Sequence, residues 1–528
     1  MSKQAYITLM GRSGWAVVNS FHAAAIETDY RPQEVHLIYE KQFAAQVPPV
    51  TQALEIIQSS YGTPNVQAVE VPDWNARSAG AAVVDLVQKL RENGFEIALD
   101  ITGGRKAPVS GSLLALRNEN LRHLFYLGIE KTEGAAKPYL MIPRRIHMLF
   151  DITTGEVQSE KMAFDTQSAD TDVILTRNCM MILLNQAYVR GEKIVVKAPL
   201  LGVEILEVDT REGKVTMKTD STDYEYRRKS HEFEGSDHPT YADLRRCLCY
   251  SGLLGFENAV EVENLLVKDS RSGLDQQAGI RRNVLAFDSN MFYDGLPSAL
   301  QKLEGRLGID SKDVLCVTPH PVMKEIRKRI RRKYARDTIQ RAKAHYGSEQ
   351  MNSLLDEFLG QNCLETRISK MAGSQLSTFM ARPSHLKTEA VDLPSDKEEV
   401  DHLIVDSLER FAKQRGVRVT LLTSDKNMID HCRLAEDVGV RVLRLPADIP
   451  LTMSTTDGTI VDLFMSLSLL YGVVELERIG YLFGEYRGKL SEVYADEVKL
   501  RIRNLQRAKL LQERVDMCKK LTKLDIAG

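Results

Sequence analysis

The first group of residues suited to chemistry lies where a short apolar segment runs into a glycine turn. The run Ile-Ala-Leu-Asp-Ile-Thr-Gly-Gly-Arg-Lys begins at residue 97. Gly103 and Gly104 permit close approach of the backbone to a ligand, and Thr102 offers a hydroxyl. Arg105 and Lys106 add positive charge at the start of the next predicted helix. Because backbone N–H groups at a helix N-terminus attract anions, the turn is suited to a phosphate.

A second group consists of four carboxylates spaced along the C-terminal half, namely Asp288, Glu325, Asp401 and Asp425. Each follows an apolar run or lies near the start of a segment with helical spacing. Clustered carboxylates repel one another and raise one another's pKa values unless a cation is present. Mg²⁺ or Mn²⁺ takes such oxygen ligands and activates water for attack at phosphorus. The acids therefore predict metal-dependent hydrolysis of a phosphodiester.

The first 150 residues must form the elements that position the glycine turn. The predicted strands are 6–10, 35–39, 66–71, 97–101 and 121–127, and helical spacing covers 52–61 and 81–92. This alternation predicts a parallel, doubly wound sheet with ligands outside the carboxyl ends of its strands. The first strand ends in the second glycine-containing loop, Gly11, Arg12, Ser13 and Gly14. We expect both loops to face one pocket.

A new α/β pattern from residue 283 must position the acids. The runs 284–287, 314–317 and 417–422 predict parallel strands, and acids at strand ends and helix starts converge at one edge of such a sheet. The mostly helical stretch 337–395 separates the second acid from the third. It is interpreted as an insertion that serves as a lid, a dimer element or an autoinhibitory segment.

The remaining segments are predicted as supporting parts. Residues 151–282 are expected to form an α+β connector with helices at 180–189 and 241–254, a β-hairpin around 211–213 and a linker at 270–282. Residues 451–528 are expected to form a helical extension, with an apolar helix at 460–476 and an apolar helical stripe at Val498, Ile502 and Leu505. The predicted domains are thus 1–150, 151–282, 283–450 and 451–528.

Composition narrows the class of protein. At 528 residues, with 43% hydrophobic and 27% charged residues, the chain predicts about three soluble domains. The formal charge of −2 excludes global basicity, so nucleic-acid binding would need a local patch. No signal peptide or bilayer-spanning run is apparent, and seven scattered cysteines suit a reducing cytoplasm. Cys247 and Cys249 are interpreted as core residues rather than metal ligands.

One local basic patch stands out beside Glu325. The segment 324–333 carries Lys324, Arg327, Lys328 and Arg331 on a predicted helix. Its cations would attract a phosphate backbone without reading sequence. The alternative is a solvated helix face paired with acids elsewhere.

The glycine turn resembles the Asp-x-Thr-Gly-Gly-x-Lys signature of the CRISPR-associated Rossmann-fold (CARF) sensors of cyclic oligoadenylate. The resemblance implies that residues 11–14 and 102–106 line the ligand site and that a homodimer completes the pocket. Arg105 departs from the family, in which Thr or Asn is common at that position. The departure leaves open how the ligand is handled.

Residues 284–447 resemble a PIN nuclease domain, through Phe-Asp-Ser-Asn at 287–290, Asp401 before Leu-Ile-Val, and Thr-Ser-Asp-Lys-Asn at 423–427. The resemblance implies that Asp288, Glu325, Asp401 and Asp425 are the catalytic, metal-binding acids.

Five further residues enter through the same resemblance. Asp430 would add a metal ligand, Ser424 a substrate or metal contact, and Asn290 would orient the site. Asp396 and Asp406 are rival choices for the third acid. The stretch 337–395 departs from the family because it is longer than a compact PIN domain usually has.

Together the two resemblances imply a cytoplasmic, cyclic oligoadenylate-activated endoribonuclease of type III CRISPR defence. It would need Mg²⁺ or Mn²⁺, cut single-stranded RNA (with DNA as the alternative) and act as a homodimer without a membrane. A non-enzymatic sensor and a ring nuclease that degrades cyclic oligoadenylate remain as alternatives. A Rossmann oxidoreductase is disfavoured, because the dinucleotide fingerprint and the ribose-binding acid are both missing.

Overall fold

The chain forms two compact units in the computed structural model, which describes residues 3–71, 75–117, 119–130, 134–155, 168–272, 283–328, 332–392 and 397–528. Unit 1 comprises Met1–Lys193 together with Ile502–Gly528, and unit 2 comprises Ile194–Arg501. The predicted connector 151–282 is therefore divided between the units, and the last residues belong with the N-terminal part. Across the described ranges, none of the helices has the length and apolar character needed to cross a membrane.

Unit 1 is built on a six-stranded sheet in the order β3-β2-β1-β4-β5-β6. Its elements are β1 (Lys3–Met10), α1 (Gly14–Glu27), β2 (Glu34–Glu40), α2 (Val47–Gln58), β3 (Val66–Val71), α3 (Ala76–Glu92), β4 (Phe95–Asp100), α4 (Lys106–Ala115), β5 (His123–Ile129), β6 (His147–Asp151), β7 (Ser168–Thr176), α5 (Met180–Arg190) and α18 (Leu505–Leu521). Strands β1 to β5 are parallel, and only β6 is antiparallel to its neighbour. The predicted Rossmann-like sheet is confirmed.

The C-terminal helix α18 completes unit 1. It packs against α2, α5 and β7, and the chain end follows it back to α1, where the Gly14 N–H donates to the Ala527 carbonyl (3.0 Å). Its buried residues Leu511, Val515 and Leu521 recur at helical spacing and supply the apolar side of this packing.

Unit 2 contains the second parallel sheet and a mixed sheet. Its elements are β8 (Lys193–Ala198), β9 (Val203–Asp209), β10 (Lys214–Met217), α6 (Ser221–Ser230), α7 (Tyr241–Ser251), α8 (Ala259–Ser272), β11 (Asn283–Phe287), α9 (Ser289–Tyr293), α10 (Leu296–Leu307), β12 (Cys316–Thr318), α11 (His320–Lys328), α12 (Arg336–Tyr346), α13 (Glu349–Asp356), α14 (Leu364–Met380), β13 (His385–Lys387), α15 (Lys397–Arg415), β14 (Arg418–Thr423), α16 (Asn427–Cys432), β15 (Val440–Arg444), β16 (Thr452–Ser454), α17 (Asp457–Tyr471), β17 (Val473–Leu476), β18 (Gly480–Phe483) and β19 (Glu497–Asn504).

The parallel sheet of unit 2 runs β13-β12-β11-β14-β15, with β11 at its centre. Val284, Leu285, Ala286 and Phe287 are fully buried, which is why this strand reads as a continuous apolar run rather than an alternating one. The predicted α/β architecture of the C-terminal domain is confirmed.

The insertion is not a separate lid, because its last helix belongs to the core of this domain. Phe379 on α14 stacks on Phe287, with ring centroids 4.4 Å apart. Ala372 and Leu376 of the same helix join the same apolar cluster. Helix α14 therefore supports the strand end that carries Asp288.

The prediction of a largely helical C-terminal extension is wrong in part, because four strands lie beside its two helices. The apolar run 460–476 divides into α17 and β17, and Val498 and Ile502 lie in the strand β19 rather than on a helix. In unit 2 the extension supplies β16, β17, β18 and β19 to strands that run β16-β10-β9-β8-β17-β18-β19. Alternating apolar residues fit either element over such short runs, and sheet partners distant in sequence decided the outcome.

The hairpin and the two helices that were predicted for the connector are present in the structure. The β-hairpin is present as antiparallel β9 and β10, and the two predicted helices are α5 and α7. Cys247 and Cys249 are buried free thiols on α7, as predicted. Most of the predicted linker 270–282 lies outside the described residues, and α8 extends to Ser272.

Candidate active site

Asp288 lies at the centre of the candidate active site, directly after β11. Its Oδ1 accepts hydrogen bonds from the Ser289 N–H (2.6 Å) and the Ser289 hydroxyl (3.2 Å). Its Oδ2 accepts from the Thr423 hydroxyl (2.8 Å) and the Asn290 amide (3.2 Å). With the residue only 2% exposed, these four hydrogen bonds fix the orientation of the carboxylate.

Two further acids act on Asp288. Burial raises the pKa of Asp288 to about 6, and the charges of Asp401 and Glu325 also raise it. Glu325 is half-buried on α11, and Asp401 is half-buried on α15. A like charge raises the pKa of a carboxyl group only at short range, so Asp401 and Glu325 both lie near Asp288.

Asp425 is linked to the same group through Thr423. It follows β14, the neighbour of β11, and its N–H donates to the Thr423 hydroxyl oxygen (3.0 Å). That hydroxyl in turn donates to Asp288. Thr423 was not among the predicted site residues. Its position at a strand end, two residues before an acid, could have identified it.

The donor set fits a hard divalent cation in its chemistry. All four acids offer oxygen ligands, and the repulsion around Asp288 is of the kind that a cation relieves. Asp288, Glu325, Asp401 and Asp425 would hold it. Within the part of the chain that the structure describes, however, no three His, Cys, Asp or Glu side chains are close enough together to hold a metal ion. Any such site would have to tighten when the ion binds.

The other predicted acids lie elsewhere. Asp430 has a side chain that is 71% exposed and pairs with Arg433 (3.1 Å), which gives no support to its role as a further ligand. Asp406 is exposed, and Asp396 lies outside the described residues. Asp401 does not open its helix as predicted, because α15 begins four residues earlier at Lys397.

Arg246 reaches the site from α7, outside the predicted nuclease domain. Its Nη2 donates to Asn290 Oδ1 (3.2 Å), the same amide that donates to Asp288. Its Nη1 donates to Asp243 (3.1 Å). Nothing in the sequence marks this arginine, since it lies far upstream of Asp288 on a different element. It ties the orientation of Asn290 to helix α7.

A fifth acid, Asp294, is buried beside these residues at 3% exposure. Burial raises its pKa, whereas Arg246, Arg245 and a hydrogen bond from Ser424 lower it. Ser424, predicted to contact substrate or metal, therefore contacts this acid. Asn290 has the orienting contact predicted for it.

The described part of the basic segment is less free than predicted. Helix α11 is described up to Lys328, and Arg331 lies outside the described residues. The Lys324 ammonium donates to the Val391 carbonyl (2.9 Å) and pairs with Asp392 (3.2 Å). Arg327 and Lys328 are exposed at the helix end.

The two glycine loops of unit 1 meet at the carboxyl ends of β1 and β4. A Cβ on Gly11 would lie 2.5 Å from the Gly103 carbonyl oxygen, and a Cβ on Gly103 would lie 2.7 Å from the Leu9 carbonyl oxygen. Contacts this short exclude any side chain at either position. The glycines are thus required by the close approach of the loops to each other.

Several predicted ligand contacts are engaged within the protein. The Thr102 hydroxyl donates to Ser20 (3.0 Å) and accepts from the Leu127 N–H (2.8 Å). Ser13 caps α1 by accepting from Ala16. Arg105 pairs with Glu40 (3.2 Å).

Of the remaining predicted ligand residues, Arg12 and Lys106 are exposed. A Cβ on Gly104 would meet Val109 and Leu9, and a Cβ on Gly14, the first residue of α1, would meet Val50 and Ile526. Lys106 is the first residue of α4, where its charge adds to that of the helix N-terminus.

The fold and the acid cluster define a PIN domain in the C-terminal half: residues 287–444 match the PIN domain family. This range holds all four predicted catalytic acids but excludes Arg246. No curated protein matches the chain.

Among the solved structures with a loose similarity to this chain, two cover more than four-fifths of it. One is Can2 from Sulfobacillus thermosulfidooxidans in complex with cyclic tetra-adenylate, at 10% identity and a TM-score of 0.24, covering 84% of this chain and 96% of that one. The other is Csm6 from Enterococcus italicus bound to cyclic hexa-2′-fluoro-hexa-dAMP, at 10% identity and a TM-score of 0.22, covering 83% and 99%. TM-scores this low support no conclusion about activity.

Proposed function

We propose that this protein is a cyclic oligoadenylate-activated, metal-dependent endoribonuclease of type III CRISPR antiviral defence. The observation that carries the proposal is the buried Asp288, whose pKa is raised to about 6 by burial and by two neighbouring acids in a domain of the PIN family. Such repulsion does not stabilise the protein. The position of Asp288 at the carboxyl end of the central strand β11 therefore favours a catalytic role.

The residues around Asp288 would prepare it for hydrolysis. Thr423 and Asn290 hold one carboxylate oxygen and Ser289 holds the other, so a ligand meets a carboxylate of fixed direction. Mg²⁺ or Mn²⁺, when bound, would activate the attacking water and offset charge at phosphorus. Asp401 and Glu325 supply the negative potential that attracts the ion.

Substrate binding would use the exposed end of α11. Arg327 and Lys328 follow Glu325 by two and three residues and are exposed. Their charges favour a phosphate backbone regardless of base. Single-stranded RNA is the proposed substrate, with DNA as the alternative.

Activation would begin at the paired glycine loops of unit 1. Their tight contact leaves backbone N–H groups and the exposed Arg12 and Lys106 at the carboxyl edge of the sheet, which suits a phosphate-bearing ring. Cyclic oligoadenylate can activate only if it binds the active arrangement more tightly than the resting one. The connector and the insertion are the proposed moving parts.

An exposed apolar face supports the proposed homodimer. Tyr126 on β5 and Met148 and Phe150 on β6 are 38–44% exposed, and Tyr126 stacks on Phe150 at 6.2 Å. Ile152 continues the face at 53% exposure. Contiguous apolar surface of this kind is typical of an interaction site. Phe150→Glu should give a monomer by light scattering, whereas Tyr226→Glu, at a side chain that is 74% exposed in unit 2, should not.

The test is cleavage of labelled single-stranded RNA with Mg²⁺ or Mn²⁺, with and without cyclic tetra-adenylate and cyclic hexa-adenylate. Asp288→Asn, Asp401→Asn and Lys106→Met should abolish ligand-dependent cleavage. Asp406→Asn is the matched control, because Asp406 is an exposed acid on the same helix as Asp401. The control should retain full activity.

The alternatives predict different results. Cleavage without any cyclic ligand would leave the nuclease and remove the sensor. Loss of cyclic oligoadenylate that survives Asp288→Asn but not Lys106→Met would indicate a ring nuclease. Ligand binding without cleavage of RNA or DNA would indicate a non-enzymatic sensor.

A further inference from the structure

A cavity that shares no residue with the glycine loops lies in unit 1. Its volume is about 70 Å³, and the polar side chains in its lining are those of Glu27, Tyr139, Arg144, His147, Asn185, Gln186, Arg190 and Arg514. Helices α1, α5 and α18 and the segment that leads into β6 contribute these residues. None of the predicted ligand or catalytic residues is among them.

Gln186 provides the main evidence that the cavity binds a ligand. It is only 8% exposed, and within the described part of the chain neither its amide nitrogen nor its amide oxygen has a hydrogen-bond partner. Gln58 in the same unit shows the usual state: its amide donates to the Pro32 and Gln33 carbonyls and accepts from Asn65. A buried amide without partners costs free energy, so native proteins rarely keep one unless something binds there.

His147 is a second buried polar group in the same cavity. It is 5% exposed, and among the described residues its Nε2 has no partner at full hydrogen-bond geometry, while the backbone of Ile142 acts to raise its pKa. Its Nδ1 contacts Arg144 (3.3 Å). Burial and Arg144 lower the pKa of His147 to about 3, so the ring is neutral at physiological pH. A neutral ring can form a hydrogen bond to a ligand without adding charge.

The lining of the cavity carries more arginines than acids. Its charged side chains are Arg144, Arg190, Arg514 and Glu27. Arg144 pairs with Glu27 (2.7 Å), while Glu192 pairs with both Arg190 (2.6 Å) and Arg507 (3.5 Å). Arg507 is 4% exposed, and burial together with the charge of Arg190 lowers its pKa. The arginines of the lining therefore favour an anion in the cavity.

We propose that this cavity binds a small oxyanion, which accepts a hydrogen bond from the Gln186 amide and is attracted by Arg190 and Arg514. The volume equals that of roughly two water molecules at about 30 Å³ each, which suits an ion of phosphate size or the anionic group of a larger molecule. Ile182, Val189 and Leu510 line the rest of the cavity and keep the dielectric low. The proposal is independent of the nuclease activity.

The test is the melting temperature of the full chain in a phosphate-free buffer at constant ionic strength. Inorganic phosphate, acetate, adenosine monophosphate and chloride are titrated separately. Phosphate should raise the melting temperature saturably while chloride does not. The adenosine monophosphate arm shows whether the anion is carried on a larger molecule.

Matched variants assign the site. Gln186→Met keeps the side-chain length and removes the unpartnered amide, so it should weaken phosphate at least about tenfold without lowering the melting temperature of the ligand-free protein. Arg514→Met should weaken phosphate similarly. Lys509→Met, on the exposed side of α18, and Lys106→Met, at the glycine loops, should leave the response unchanged.

Two outcomes would overturn the proposal. If Lys106→Met alone removes the response, phosphate binds the glycine loops. If no anion stabilises the wild type, or if Gln186→Met responds like the wild type, the amide is satisfied by water.

Discussion

Each unit places a buried aspartate at the end of a central strand, and the neighbours of the two acids differ. Asp100 ends β4 and accepts from the Thr8 hydroxyl (2.7 Å), the Ser20 hydroxyl (2.7 Å) and the Thr102 N–H (3.0 Å). Its raised pKa comes from burial, which these hydrogen bonds oppose. At Asp288 the charges of Asp401 and Glu325 add to burial.

The difference separates a structural acid from the proposed catalytic one. The partners of Asp100 are hydroxyls and backbone of its own unit, so the carboxyl anchors the loop that carries Thr102. The neighbours of Asp288 include carboxyls that destabilise it. Burial alone therefore does not indicate function, whereas unrelieved repulsion does.

The largest expected effect is on activity at Asp288. Asp288→Asn should lower RNA cleavage at least about 100-fold, because it removes a charged oxygen from the proposed metal site. For Asp100→Asn, the rate of RNA cleavage measured without the cyclic ligand should stay within a few-fold of the wild-type rate. Initial rates at saturating Mn²⁺ measure both, and equal losses in the two variants would erase the distinction.

The next effect is on stability against pH. In metal-free protein the pKa of Asp288 is about 6 when folded, against an ordinary value of 3.8. The folded state thus holds the proton more tightly, so the contribution of Asp288 to stability is greatest below about pH 4 and is lost as the pH rises through 6. The loss amounts to about 3 kcal/mol.

Urea denaturation in EDTA at pH 4 and pH 7 measures this change. Asp288→Asn cannot titrate and should lack that component of the pH dependence. Added Mg²⁺ at pH 7 should restore stability to the wild type alone. A variant with the same pH dependence as the wild type would assign the effect to another group.

A smaller effect is expected on the stability of unit 1. Asp100→Asn replaces an acceptor of buried hydroxyls and should cost about 2 kcal/mol of unfolding free energy. Asp85→Asn, at an exposed acid on α3, is the control and should be neutral. Hydrogen exchange of the β4 amides would localise the change, and a neutral Asp100→Asn would contradict the anchoring role.

The smallest effect is expected at Arg246. Arg246→Met removes the contact to Asn290 and should lower kcat about tenfold with little change in KM, as for other residues that orient a metal-site carboxylate. Arg306→Met alters an exposed arginine of the same unit, with a side chain that is 69% exposed, and should have no effect. A change in KM alone would instead indicate that Arg246 binds substrate.

The sequence predicted the two parallel sheets because their strands are continuous apolar runs that end in glycine or acid. Those runs bury both faces, and few other structures accommodate them. It failed for the C-terminal extension, where short alternating runs such as 497–504 fit a helix or a strand. It also interpreted the insertion as a separate part, whereas Phe379 packs on Phe287.

For the candidate site, the sequence supplied the acids but not their environment. Asp288 follows a strand and Asp425 follows its neighbour, so their convergence follows from topology. Arg246 and Asp294 were missed, since their positions depend on how α7 and α9 pack. Asp430 was included through the resemblance to PIN domains, whereas its carboxyl pairs with Arg433 in the structure.

By itself the sequence determined the element types of both sheets and the residues at their carboxyl ends, because apolar periodicity and glycine act locally. Only the tertiary structure decided which of those residues form hydrogen bonds or ion pairs within the protein. Thr102 is bound to Ser20 and Leu127, and Lys324 to Asp392. Gln186 is left without partners. Hydrogen-bond partners distant in sequence decide these outcomes, and no local pattern encodes them.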